Sequence, residues 1–494
     1  MAPSTDSDGS SSGSTGAADT GDVPEDRATV VHSFGRYELG PLAEAEPCLQ
    51  WTIGNELPIY VETVRLVNDG GSHHSNWFVV PEEEFVGEDG YFDCDSRAFD
   101  ELSAAVAGTV LFAQSTQSLL DEQALPDGVV IKIPPRHKLI AGGHFLNLSD
   151  TPIAPEMRVS LEIIHPKDVR IIAAPFRLTY RALDIPPFSE ARFTGACDLA
   201  PIYEDQAGKP LDLKLYYVTP HYHYLGNFFD LTLLGGPRDG ESVFRLDGFD
   251  ASSNGQSFDP PIDLSGANGF TFTCGYDNWQ DKTIGWGIGD QEMCVMLGLA
   301  DSAVLMDAGV TNGQVVGNEN DILMNEGACQ AIGLAKNAAQ TLPTADEIAA
   351  PLYVPPTQPD DDGLPPVPSC VDHDPATEAL QPATLSSVRD TLFAASCTFS
   401  SCHGGANAAA GLDLRAEDLH AALLGHTVKG ATSRPLVVPG DPDGSWLVEL
   451  LSHCEPTDDA GNVVAHMPRN APTLANPALV AKVRAWIAAG ALDD

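Results

Sequence analysis

With 494 residues the chain is too long for one ordinary hydrophobic core and predicts roughly two to four domains. Lys and Arg number 26 against 70 Asp and Glu, a formal net charge of −44. So acidic a surface repels phosphate backbones and anionic lipid, which excludes nucleic acid and membrane surfaces as partners. Ten cysteines, spread along the chain rather than clustered, point to an oxidising compartment and an exported protein, and no apolar run is long enough to span a bilayer.

Residues 1–31 are rich in Ser, Gly and Asp and lack both the positive start and the apolar segment of a signal peptide. They read as a disordered tether of a periplasmic, outer-membrane-anchored or secreted bacterial protein. The signal peptide would lie upstream, with a lipid anchor there as the only membrane attachment. From 32 to 335, β-branched and aromatic runs such as "IYVETVRLV", "GVVIKI", "RVSLEII" and "FFDLTLL" recur between Gly, Pro and Asp turns. This pattern predicts two β-sandwiches, 32–185 and 186–335, with one helical insert at about 98–108. Residues 336–379 are rich in Pro and Asp and read as a stiff linker. Residues 380–494 are helical. In the last helix Asn476 caps, Pro477 takes the first position, and Leu479, Val480, Val483, Trp486 and Ile487 form one apolar face before Gly490 ends it.

Two groups of residues carry chemistry. In "SCTFSSCHGG", Cys397 and Cys402 enclose four residues and His403 follows directly, a spacing longer than the common C-x-x-C-H of covalent haem attachment. A local Cys397–Cys402 disulfide is the alternative. In "PHYHYLG", His221 and His223 project from one face of a strand, and "GGSHHSNWF" supplies His73 and His74 where Gly70, Gly71 and Ser72 allow the backbone to turn. Nitrogen ligands of this kind, with a thioether, suit copper. His137 and His165 read as surface histidines.

The stretch 380–494, with Met467 in "AHMPRNAPTL" ahead of the terminal amphipathic helix, resembles the cytochrome c-like modules at the ends of exported bacterial proteins. The resemblance implies haem c attached through Cys397 and Cys402, with His403 as proximal and Met467 as distal ligand; His466 is the alternative to Met467. Cys370 and Cys454 flank this module and are candidates to pair.

Residues 32–335 resemble the copper type II, ascorbate-dependent monooxygenases, the family of peptidylglycine α-hydroxylating and dopamine β-monooxygenases. The resemblance rests on the His73-His74 pair, His144 in "AGGHFLNLSD", the His221-x-His223 motif and Met293-Cys294 in "GDQEMCVML". It implies two copper ions, one electron-donating at His73, His74 and His144, the other oxygen-binding and catalytic at His221, His223 and Met293. It also implies the disulfides Cys48–Cys94, Cys197–Cys329 and Cys274–Cys294. The expected fold is multidomain, two all-β jelly-roll-like sandwiches followed by a small all-α cytochrome c-like domain. The expected activity is hydroxylation of a C–H bond in a small-molecule or peptide substrate with O2. Electrons would come from an external reductant such as ascorbate or a periplasmic cytochrome donor, passing through the haem to the first copper. Peptidylglycine members hold a substrate carboxylate with an arginine, an asparagine and a tyrosine where this chain has Thr219, Val295 and Leu297, so a different, less polar substrate is expected. The alternative is a non-catalytic exported copper- and haem-binding protein.

Overall fold

In the computed structural model the described residues run from 26 to 494, except 41–42, 69–70, 115–119, 147–151, 224, 249–254, 279, 281, 288–290, 337, 357–369, 399–402, 405–407, 429–432 and 469–473. The tether lies largely outside them. Its last residues do not, since the strand Arg27–Arg36 begins inside the stretch read as tether and pairs with Glu156–Ile164.

The first sandwich packs two six-stranded sheets face to face. One has Ile59–Asn68 at its centre, flanked by Glu156–Ile164 and Val129–Ile133. The other has His137–Leu146 at its centre, between Cys48–Thr52 and Ser72–Pro81. Alternating apolar side chains from both, among them Trp51, Val64, Trp77, Leu139 and Leu161, fill a common core. The helix Glu101–Ala107 lies on this sandwich where the sequence predicts it, with the Asp100 carboxylate capping it at the Ser103 amide, 2.9 Å away.

The second sandwich is again two six-stranded sheets, ordered around Val295–Asp301 and Gly269–Asn278. It starts earlier than the expected boundary at 186, because Ala174–Tyr180 pairs with Val295–Asp301 on one side and Val304–Val310 on the other. A second helix, Ala200–Ala207, was not legible in the sequence. The two sandwiches meet through apolar contact: Tyr217 and Leu299 of the second belong to the same buried cluster as Trp51 and Trp77 of the first.

The expected linker is not free along its length. Its first part carries the short helix Ala345–Ala349 and folds back over the first sandwich. There Lys132 Nζ donates to the Thr341 carbonyl (3.1 Å), His165 Nε2 to the Ala350 carbonyl (2.9 Å) and the Glu56 amide to the Tyr353 hydroxyl (2.9 Å). Leu352 and Tyr353 pack against the core below. Composition pointed to a spacer, but the apolar residues among the prolines are numerous enough to dock.

Residues 370–494 form a helical module with its own core, centred on Leu392, Leu423, Trp446, Val483 and Trp486. Its last helix, Pro477–Ala488, is capped by Asn476 as predicted, the side-chain oxygen accepting from the Ala478 amide at 2.9 Å. Four disulfides join Cys48–Cys94, Cys197–Cys329, Cys274–Cys294 and Cys370–Cys454. Each constrains the unfolded chain by about 2–4 kcal/mol. Among the described residues no helix is long and apolar enough to cross a membrane.

Candidate metal centre

Gly71 takes φ 75°, the left-handed turn that the adjacent histidine pair needs, and a Cβ there would meet Ile153 at 2.7 Å. Beyond it the strand Ser72–Pro81 places His74 directly opposite His144 of His137–Leu146. His144 Nδ1 lies 3.1 Å from His74 Nε2. The His73 backbone is in the same strand, and its side chain lies outside what is described.

His221 ends the strand Lys214–His221, opposite Val295. His223 follows in a loop that folds against residues 291–293. The sequence assigned these histidines and the 73/74/144 group to separate sites, yet across the junction of the sandwiches they meet. Ligand nitrogens of His74, His221 and His223 all lie within 4.8 Å of one another. The ring centroids of His74 and His144 are 4.9 Å apart and those of His74 and His221 5.3 Å.

His223 is fixed by its surroundings. Its Nδ1 donates to the Gln291 carbonyl at 2.7 Å, which places the proton there and makes Nε2 the ligand nitrogen. Burial, then the neighbouring His221, pushes His223 down to about 3, so the ring stays neutral and able to hold a metal. Glu292, fully buried, accepts from the amides of His223 (2.7 Å) and Leu225 (2.8 Å) and so ties the histidine loop to the Met293 segment. Burial pushes its carboxyl up to about 8. The sequence reading missed Glu292; its only signal is a carboxylate set directly before the apolar run "MCVML".

Beside the cluster opens a cavity of about 590 Å³ lined by His74, His144, His221 and Met293. Thr219, Val295 and Leu297, the three positions that depart from the peptidylglycine pattern, also line it. Phe78, Phe99 and Met306 add apolar wall. Arg177 and Arg181 line it too, which the sequence reading did not foresee. Arg177 is engaged by Asp307 through two hydrogen bonds of 3.0 and 2.8 Å.

His137 and His165 are not surface residues: they are 9 % and 7 % exposed. Backbone groups satisfy them, His137 Nδ1 at the Pro135 carbonyl (2.8 Å) and His165 between the Lys167 amide and the Ala350 carbonyl. Burial holds His137 below its ordinary value. Its contribution is therefore complete above the unfolded value near 6.5 and is lost as pH falls toward the lower folded value, with a slope of at most about 1.4 kcal/mol per pH unit. Urea unfolding between pH 7.5 and 5 should show a shallower decline for His137→Gln than for the parent.

In the helical module the His403 amide donates to the Cys397 carbonyl at 3.0 Å, and His403 Nδ1 lies 3.2 Å from the Leu412 carbonyl. Cys397 and Met467 pack against the module's core. His466 Nδ1 is buried and has no hydrogen-bond partner. Cys402, and with it the Cys397–Cys402 alternative, lies outside the described residues.

No protein-family model matches the chain, and no curated protein does. Among solved structures it is similar to the major capsid protein of bacteriophage PM2, at 9 % identity over 56 % of this chain and 97 % of that one, with a TM-score of 0.28. It is similar also to N-glycanase F, at 8 % identity over 56 % and 96 %, TM-score 0.24. These scores are too low to bear on function, and the sandwiches stand on their own strand order.

Proposed function

We propose that the protein is an exported copper-dependent monooxygenase that hydroxylates a C–H bond of a largely apolar substrate, served by a haem on its C-terminal module. The observation that carries this reading is the meeting of His74, His144, His221 and His223 beside a cavity that Met293 also lines. Imidazoles with a nearby thioether fit copper in both its oxidation states, the thioether favouring the cuprous one. We assign the four histidines to one centre that draws ligands from both sandwiches. Copper held there supplies one-electron chemistry and dioxygen binding.

The chain's own residues do the rest. Gln291 and Glu292 hold His223 in its ligating tautomer and position. Phe78, Phe99, Val295, Leu297 and Met306 exclude water and receive an apolar body. Because Asp307 already occupies Arg177, that guanidinium is not open to a substrate carboxylate. With Thr219, Val295 and Leu297 at the positions of the peptidylglycine carboxylate partners, a glycine-extended peptide should turn over negligibly; efficient turnover in an oxygen electrode would contradict the assigned substrate class and point to Arg181, which also lines the cavity.

A haem fits the helical module on three counts: the oriented His403 ring, Cys397 beside it, and a buried His466 nitrogen that the polypeptide leaves unbonded next to Met467. Cys397 and Cys402 would attach it, His403 would be proximal, and Met467 or His466 distal. Haem there supplies a one-electron store.

The test is expression in a copper-supplied periplasm able to mature c-type cytochromes, followed by metal analysis, the spectrum of the reduced protein, and oxygen uptake. Uptake should depend on both copper and reductant, and Met293→Ile should lose nearly all of it while unfolding at the same temperature. Bound copper without any uptake would instead favour a copper-handling protein.

A further inference from the structure

The helical module touches the second sandwich at an ion pair between a buried arginine and a half-buried aspartate. Arg415 Nη2 lies 2.6 Å from Asp277 Oδ2, and the arginine side chain is only 6 % exposed. On the module's side, Arg415 follows Leu414, whose amide donates to the His403 carbonyl at 2.8 Å. Gly404 lies against the same guanidinium, so that a Cβ there would sit 2.8 Å from Arg415 Nε. On the sandwich side, the Asp277 amide donates to the Leu225 carbonyl at 2.9 Å. Leu225 in turn donates its amide to Glu292, the carboxyl that also holds His223. From His403 to His223 the contacts are thus continuous, through Leu414, Arg415, Asp277, Leu225 and Glu292.

We propose that the Arg415–Asp277 pair seats the helical module on the loop that carries His223, so that the module serves the metal centre from its His221/His223 side. This rests on the reading of the module as an electron carrier, and it places electron entry opposite to the side that the sequence resemblance suggested. Arg415 and Asp277 are positioning residues; neither is part of the cluster or of the haem motif. The arginine is shielded from solvent while the Asp277 side chain is 32 % exposed, so salt screens the pair somewhat less than it does a fully exposed one. Its effect on the loop is carried by hydrogen bonds with fixed partners, a physical network whose coupling a charge swap can measure.

The experiment compares Arg415→Glu, Asp277→Arg and the double swap, each as the full chain without added metal. Hydrogen exchange is read at the amides of residues 223–228 and, as an internal reference, at 140–146 on the other side of the cluster. The single variants should exchange at least about tenfold faster at 223–228, with 140–146 unchanged, and the swap should restore protection. Unchanged exchange at 223–228 in both single variants overturns the proposal. Failure of the swap to restore it also does, because the two residues would then act through their own surroundings and not through each other. Equal acceleration at 140–146 overturns it as well, since the effect would be global. Copper and haem contents of metal-loaded samples report separately on the reading beneath the proposal, so a protein that binds neither would sink that reading without altering the exchange result.

Discussion

Replacing His74 with alanine is expected to weaken copper binding through His221 and His223, although His74 belongs to the other sandwich. The loss should exceed the roughly 10–100-fold that follows removal of a group merely supporting a ligand. The reason is geometric: nitrogens of all three lie within 4.8 Å of one another, close enough to share one ion. A competition titration with a copper chelator reads the affinity, and circular dichroism confirms the sandwiches. If His74→Ala left the His221/His223 affinity as it was, the histidines would form two centres, and the shared one would be wrong.

The second large effect concerns Glu292. Glu292→Leu keeps the bulk of the side chain but leaves the buried amides of His223 and Leu225 without their acceptor. Each such loss costs about 1–3 kcal/mol, so roughly 2–6 kcal/mol of stability should disappear. Urea unfolding of the metal-free protein measures it. Glu292→Gln retains one acceptor oxygen for two amides that bind separate carboxyl oxygens, so it should lose about half as much or more. Copper affinity should fall by about 10–100-fold in Glu292→Leu, because His223 would no longer be held at its place. A Glu292→Leu variant as stable as the parent, with the same copper affinity, would mean that Gln291 alone positions His223.

The sandwiches were legible because alternation along short strands is a local property, and runs such as Ile59–Asn68 and Val129–Ile133 show it without context. The Asn476 cap was legible for the same reason. The cysteine pairs came from analogy or position, and all four form. What remained hidden depends on which strands become neighbours. Ala174–Tyr180 reads as the tail of the first sandwich by position, but its register with Val295–Asp301 assigns it to the second. The burial of His165 and Glu292 involves groups distant in sequence, the Ala350 carbonyl and the loop at His223, and that of His137 follows from the sheet packed over it rather than from its near neighbour Pro135. Likewise nothing local to "GGSHHSNWF" or "PHYHYLG" shows that the two motifs face each other, because their meeting is a property of the junction and not of either strand.

The segment that leaves the second sandwich at Gln330–Ala335 and fastens onto the first at Thr341, Ala350 and Tyr353 gives the pair of sandwiches a strap across their seam. A seam with apolar contact alone can gape like a hinge, and its opening angle would then set the spacing between His74 and His221. With the strap fastened, swinging the sandwiches apart must first pull Thr341, Ala350 and Tyr353 off their partners. The width of the gap is thereby limited by a length of chain far from the histidines. A single cut between residues 335 and 341 would release that limit without removing one ligand.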